Sequence, residues 1–146
     1  MTVEHLEKIA WLNRAFYAEK KVKALESLRK RDRERTQQIT ANYEGNNKGK
    51  SDGRKNGVEE ALLMLAESDE KYDNALRDYT ALRREIESAI EELHDNELES
   101  IFVYRYLEYK TMEQIAECMH YNERTIRRKH HNGIEKLSGN VLVCPP

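Results

Sequence analysis

A cluster of basic side chains near the C-terminus has the clearest chemical potential in this sequence. Five Lys or Arg residues and two Glu residues lie between Glu123 and Lys136. A guanidinium group can donate two parallel hydrogen bonds to the edge of guanine, and a carboxylate can accept one from cytosine. If the segment is helical, one exposed face carries the candidate base-contacting residues Glu123, Arg124, Arg127, Arg128 and His131.

The residues before and within this cluster have the pattern of two short helices joined by a tight turn. Thr111 and Gln114 have the spacing of a capping box, which starts a helix. Residues 120–122 form the turn, and Asn122 can cap a second helix over residues 123–137. The inward positions of the two helices are Ile115, Ala116, Met119, Ile126, Ile134 and Leu137. The pattern predicts a helix-turn-helix unit whose second helix enters the major groove of double-stranded DNA.

Phosphate contacts would hold such a unit in register on the duplex. Lys129 and the first turn of the supporting helix, at Thr111 and Gln114, are the candidates. The chain has no glycine loop that could cradle phosphates and no nucleophile elbow. Its Cys and His residues near the turn do not have the spacing of a zinc finger. We therefore expect recognition without catalysis, and no cofactor or metal site.

The elements upstream are long helices. No Gly or Pro occurs in residues 2–41 or 58–93, and four of the six glycines fall in residues 42–57. Apolar residues of the second segment recur at alternating spacings of four and three, a heptad pattern with two polar interruptions. This stripe is Val58, Leu62, Leu65, Asp69, Tyr72, Leu76, Tyr79, Arg83, Ile86, Ile90 and Leu93. The pattern predicts two helices around a flexible loop at 42–57. In the first helix, the apolar stripe changes phase near residues 19–21.

The charge distribution favours pairing of these two helices. Residues 14–57 have a net charge of +7 and residues 58–99 a net charge of −10, although the whole chain is only −2. An antiparallel hairpin would place the basic end of the first helix beside the acidic start of the second. Exposed ion pairs contribute only ~0–1 kcal/mol each, so charge does not decide whether the hairpin closes within one chain or between two. We expect a hairpin that also forms a homodimer.

These elements predict an all-α protein with three parts. A coiled-coil-like helical hairpin occupies residues 1–94, a small helix-turn-helix domain residues 95–140, and a tail residues 141–146. The longest apolar run, residues 61–66, is far shorter than the ~20 residues that cross a bilayer. Because the N-terminus also lacks a signal-peptide pattern, a cytoplasmic protein without membrane contact is expected.

The C-terminal segment resembles region 4 of bacterial sigma factors. The resemblance lies in residues 104–117, with an Arg-Tyr-Leu helix end, a Thr cap and an Ile-Ala-Glu helix, and in residues 122–127, with Thr-Ile-Arg in the second helix. The whole layout resembles the sigma-like late-transcription regulators of Gram-positive phages and prophages, of the ArpU and RinA type. This implies a transcription regulator acting in a bacterial host, in which Glu123, Arg124, Arg127 and Arg128 contact promoter bases. The alternative that it implies is a sigma-like adaptor, or interaction module, that binds RNA polymerase without independent DNA binding.

The sequence differs from the region 4 pattern at three positions. His120 stands where Gly is usual, Tyr121 where a smaller aliphatic residue is usual, and His130 where a core apolar residue is usual. Since Gly at a turn commonly supplies a left-handed backbone, His120 is predicted to adopt that conformation.

Overall fold

The computed structural model describes residues 2–45 and 52–137, which form helices joined by short turns. The helices are α1 (Val3–Leu12), α2 (Arg14–Gly45), α3 (Asp52–Glu91), α4 (Asn96–Phe102), α5 (Met112–Met119) and α6 (Glu123–Lys136), with a π-helical segment (Val103–Leu107) that continues α4. No strand occurs among the described residues, so the predicted all-α fold is confirmed. None of the described helices combines the length and apolar character needed to cross a membrane.

The N-terminal segment forms two helices where the sequence predicted one. The break is at Asn13, whose N–H donates to the Ile9 carbonyl at 3.0 Å and whose carbonyl accepts from Phe16 N–H at 3.1 Å. Asn is a weak residue for a helix interior because its side chain competes for backbone hydrogen bonds. α2 continues without a break through residues 19–21, where the apolar stripe changes phase.

The two long helices extend into the predicted loop. α2 ends at Gly45 and α3 begins at Asp52, so residues 42–45 and 52–57 are helical. This part of the loop prediction is wrong. Glycine costs a helix only ~1 kcal/mol per residue, which a long helix can accommodate at its end. Residues 46–51 and the predicted tail at 141–146 lie outside the described residues.

The chain divides into two compact units, and the first, here called the hairpin unit, spans Glu19–Asp78. Within it, the buried Ser68 hydroxyl donates to the Asp32 carboxylate. The Thr36 hydroxyl donates to the Asp32 carbonyl at 2.8 Å and lies 3.3 Å from the Ala61 carbonyl. These contacts join α2 and α3 of the same chain in antiparallel order.

The predicted stripe of α3 has two positions in each heptad. In the hairpin unit, the buried residues of α3 differ from the stripe at one of these two positions. Ala61, Ser68 and Ala75 are buried, whereas the predicted seam residues Leu62 and Leu76 are 50% and 38% exposed. Small side chains let two helix backbones approach closely, as the hydrogen bond to the Ala61 carbonyl shows. The prediction that Leu62 and Leu76 line the seam is wrong because it ranked positions by hydrophobicity and not by size.

Opposite charges do meet in the hairpin unit. The Arg29 Nε atom lies 3.7 Å from Asp69 Oδ1, and the guanidinium group lies 4.0 Å from the centre of the Tyr72 ring. The cation–π contact and the ion pair use the same side chain. This pair joins the basic part of the first long helix to the acidic part of the second, which is the alignment that the charge distribution favours.

The second unit, here called the helix-turn-helix unit, combines residues up to Ala18 with residues from Tyr79 onward. Its buried core includes Leu12, Ala15, Ile86, Ala89, Ile90, Leu93, Leu98, Ile101, Phe102, Tyr106, Leu107, Ile115, Ala116, Ile126, Ile134 and Leu137. The core therefore crosses the predicted domain boundary at residue 94. A segment as short as the predicted domain 95–140 buries too little apolar surface alone. α1, the start of α2 and the end of α3 supply the rest.

Candidate DNA-binding surface

Three local caps set the two ends of α5 and the start of α6. Thr111 Oγ1 accepts from Gln114 N–H at 3.2 Å and Gln114 Oε1 accepts from Thr111 N–H at 3.0 Å, which completes the predicted capping box. His120 ends α5 in the left-handed region, at φ 60° and ψ 40°. Asn122 Oδ1 accepts from Thr125 N–H at 2.8 Å and starts α6. The predicted caps and the left-handed His120 are confirmed.

One face of α6 packs into the core of the helix-turn-helix unit. Its buried residues are Ile126, His130, Gly133 and Ile134. At Gly133 the helix approaches α4 so closely that a Cβ atom would lie 2.5 Å from Phe102 Cε1. This packing fixes the rotation of α6 about its axis and therefore decides which side chains remain on the surface.

Arg124 and Arg128 lie on the exposed face of α6, one helical turn apart. No hydrogen bond or ion pair joins either side chain to another described residue. Arg127 is also exposed, but its Nε and Nη2 atoms lie 2.9 and 2.5 Å from Glu123 Oε1. The structure therefore places all three predicted arginines on the surface of α6 and gives Arg127 a carboxylate partner.

Lys129 lies on the flank of α6 that faces α4. Its Nζ atom is 2.7 Å from Glu97 Oε1 and 5.2 Å from the centre of the Tyr121 ring. The hydrogen bond from Lys129, followed by one from Tyr121, lowers the pKa of Glu97, and the same contact with Glu97 raises the pKa of Lys129. Sequence reasoning missed Glu97 and Tyr121, since a pair between helices has no signal in local spacing.

His131 packs against α1, apart from the exposed arginines. Its ring meets the ring of His5 edge to face with centroids 4.7 Å apart, and its Nε2 atom is 3.3 Å from Glu135 Oε1. Thr111 and Gln114 are exposed at the start of α5. The predicted site residues thus fall into three groups: the outer arginines with Glu123, the exposed cap of α5, and two side chains held by neighbouring helices.

His130 is a buried polar residue in the core behind this surface. Its Nε2 atom lies 2.5 Å from the Tyr106 hydroxyl, and its ring stacks on Phe102 with centroids 5.2 Å apart. Burial, followed by the charge of Arg105, lowers the pKa of His130 to about 4. The ring is therefore neutral at pH 7, and Nε2 accepts the hydrogen bond that the Tyr106 hydroxyl donates.

We expect acid to destabilise the helix-turn-helix unit through His130. The ordinary pKa of histidine is ~6.5, so the unfolded chain takes up this proton more readily than the folded one. The resulting stability is fully present above pH ~6.5 and is lost as the pH falls through about 4, by ~3 kcal/mol in total. Urea unfolding of the protein and of His130→Gln at several pH values in this range measures the loss.

His130→Gln serves as the control because a Gln carbonyl can accept the Tyr106 hydrogen bond and does not titrate. The variant is expected to lose less stability than the unmodified protein over the same pH interval. Identical pH dependences for the two proteins would rule out His130 as the source.

The part of the chain that carries this surface matches a known protein family. Residues 89–138 match the family model of sigma-70 region 4, a DNA-binding helix-turn-helix domain. The predicted resemblance to region 4 is thereby confirmed for this part of the chain. No curated protein and no solved structure is significantly similar to the chain.

Proposed function

We propose that this protein is a sequence-specific, DNA-binding transcription regulator whose helix α6 enters the major groove. The observation that carries the proposal is the pair Arg124 and Arg128, exposed one turn apart near the start of a capped helix in a sigma region 4-like domain. Helix-turn-helix proteins contact bases with the N-terminal part of their second helix. The layout further supports a phage or prophage late-transcription regulator of the ArpU and RinA type.

The geometry suggests different roles for the predicted residues. Arg124 and Arg128 would contact guanine edges directly, and Arg127 would do so in the orientation set by Glu123. Thr111 and Gln114 are exposed at the start of α5, and they would contact phosphates at the N-terminus of this helix. Two further side chains, Lys129 and His131, would orient α6 from its flanks, because their neighbours on α4 and α1 hold them.

Selection of duplexes from a random DNA library by the full chain, at a fixed salt concentration, tests the proposal. Fixed salt matters because phosphate contacts make all DNA affinities salt-dependent. Enrichment of a motif is the expected result. If no motif emerges at any salt concentration while bacterial RNA polymerase is retained on the immobilised protein, the adaptor function replaces DNA recognition.

We also propose that the protein acts as a homodimer, which would double the number of base contacts. The supporting observation is apolar surface on the hairpin unit: Leu62, Leu63, Met64 and Leu76 on α3 and Leu28 on α2 are 37–61% exposed. Leu62 and Leu76 are two heptads apart on the same side of α3, where exposed apolar surface is typical of a protein contact. A homodimer on DNA predicts a motif with two-fold symmetry.

Changing both Leu62 and Leu76 to Gln is expected to shift the protein from dimer to monomer, because the stripe loses its apolar contacts while the buried seam is untouched. Sedimentation equilibrium measures the shift. Leu6→Gln, at a 55% exposed leucine of α1, is the matched control and should leave the dimer intact. A monomeric unmodified protein at all concentrations would contradict the proposal.

A further inference from the structure

Helix α1 packs against α6 through a polar contact that is unusually well buried. Lys8 is only 3% exposed, and its Nζ atom donates to the Ile134 carbonyl at 3.3 Å and pairs with Glu4 Oε1 at 3.3 Å. Buried lysines are rare unless they are paired. The N-terminal end of the helix-turn-helix unit is thus held beside the C-terminal half of α6.

Three metal-ligating side chains meet where these helices touch. His131 and Glu135 are one turn apart on α6, and His5 comes from α1. The His131 Nε2 atom is 3.3 Å and the His5 Nε2 atom 4.0 Å from Glu135 Oε1, and one ligand atom from each residue lies within 4.8 Å of the others. Ligand atoms of a tetrahedral zinc ion are ~3.3 Å apart, so side-chain rotations that shorten the longest separation by up to ~1.5 Å would close the set.

His5 lies between a neighbouring imidazole and a carboxylate, and one of its two ring nitrogens has no partner among the described residues. The His5 side chain is 12% exposed, and its Nδ1 atom is buried without a hydrogen-bond partner among the described residues. Buried polar atoms in native proteins are almost always paired, so this nitrogen calls for a partner beyond the described residues. The nitrogen nearer Glu135 is Nε2, so Nε2 would ligate an ion and Nδ1 would be left for an outer hydrogen bond, as is usual for metal-bound histidine.

We propose that His5, His131 and Glu135 form a binding site for a divalent transition-metal ion of the zinc class. Two imidazoles and a carboxylate suit Zn²⁺, whereas Mg²⁺ and Ca²⁺ prefer oxygen ligands. A water molecule would complete a tetrahedral set. The bound ion would join α1 to α6, the helix that carries Arg124 and Arg128, from opposite ends of the sequence. This proposal stands independently of DNA binding, since it rests on the cluster alone.

Titration with ZnCl₂, followed by calorimetry, tests the site in the full chain with Cys118 and Cys144 changed to Ser, so that thiolates do not contribute. One ion per chain is expected, and the melting temperature should rise with added metal. Substitution by Co²⁺ should give the visible absorption of a tetrahedral site without sulfur-to-metal bands.

The variants His5→Ala, His131→Ala and Glu135→Gln are each expected to weaken Zn²⁺ binding at least ~10-fold, because removing a ligand should cost no less than removing a second-shell partner. His94→Asn is the matched control: His94 is exposed, lies outside the cluster and has a left-handed backbone (φ 50°) that Asn tolerates. If His5→Ala unfolds α1, the exposed Glu135→Gln change tests the same site. Absence of saturable binding, or equal affinity in these variants and in His94→Asn, would overturn the proposal.

Discussion

Replacing Arg124 and Arg128 together by Ala is expected to weaken binding to the preferred duplex at least ~30-fold and to remove its preference over unrelated DNA. Each good base contact contributes ~1–3 kcal/mol, and a loss of ~1.4 kcal/mol corresponds to tenfold in affinity. Both side chains are exposed on α6 and make no hydrogen bond or ion pair with the described residues, so the change should leave the melting temperature nearly unaltered. Fluorescence anisotropy with specific and scrambled duplexes at one salt concentration measures both quantities.

The matched control is the pair Arg83→Ala and Arg84→Ala on α3. It removes the same two positive charges from exposed helix positions of the same unit. Long-range attraction alone would weaken binding equally in the two double variants. Equal losses in both would therefore contradict direct base contact, and unchanged selectivity of the Arg124 and Arg128 variant would remove α6 from the recognition mechanism.

Features encoded by neighbouring residues could be predicted from the sequence. The capping box at Thr111, the cap at Asn122 and the left-handed His120 each depend on hydrogen bonds within a few residues. The exposed positions of Arg124 and Arg128 follow from the apolar period of α6. Such signals fix where a helix begins and which of its faces is buried.

Features that depend on contacts between distant segments could not be predicted in this way. Lys129 has a side chain typical of a phosphate ligand. Only the packing of α4 beside α6 shows that its ammonium group pairs with Glu97. His131 lies beside His5 because α1 completes the core, which no local pattern indicates. The seam of α3 likewise uses Ala61 in place of Leu62, since helix separation and not hydrophobicity decides that register.

The close packing of α6 on α4 leads to a second large effect: Gly133→Ala is expected to destabilise the helix-turn-helix unit by ~1–2 kcal/mol net. Ala is a better helix residue than Gly by ~1 kcal/mol, but the new Cβ atom would lie 2.5 and 2.7 Å from Phe102 Cε1 and Cζ. Overpacking a core costs ~1–3 kcal/mol and sometimes more. The Phe102 ring is fully buried and stacks on His130, so it has little room to move.

Urea unfolding of two further variants tests the cause. Gly57→Ala is the matched control, because no atom lies within 4 Å of a Cβ at helical Gly57, and it should stabilise the protein by ~0.4–1 kcal/mol. Phe102→Leu should cost less stability in the Gly133→Ala background than in the unmodified protein, because the smaller side chain relieves the clash. If Gly133→Ala stabilises the protein as Gly57→Ala does, α4 and α6 are farther apart than described, and the face that α6 presents to solvent is not fixed by this contact.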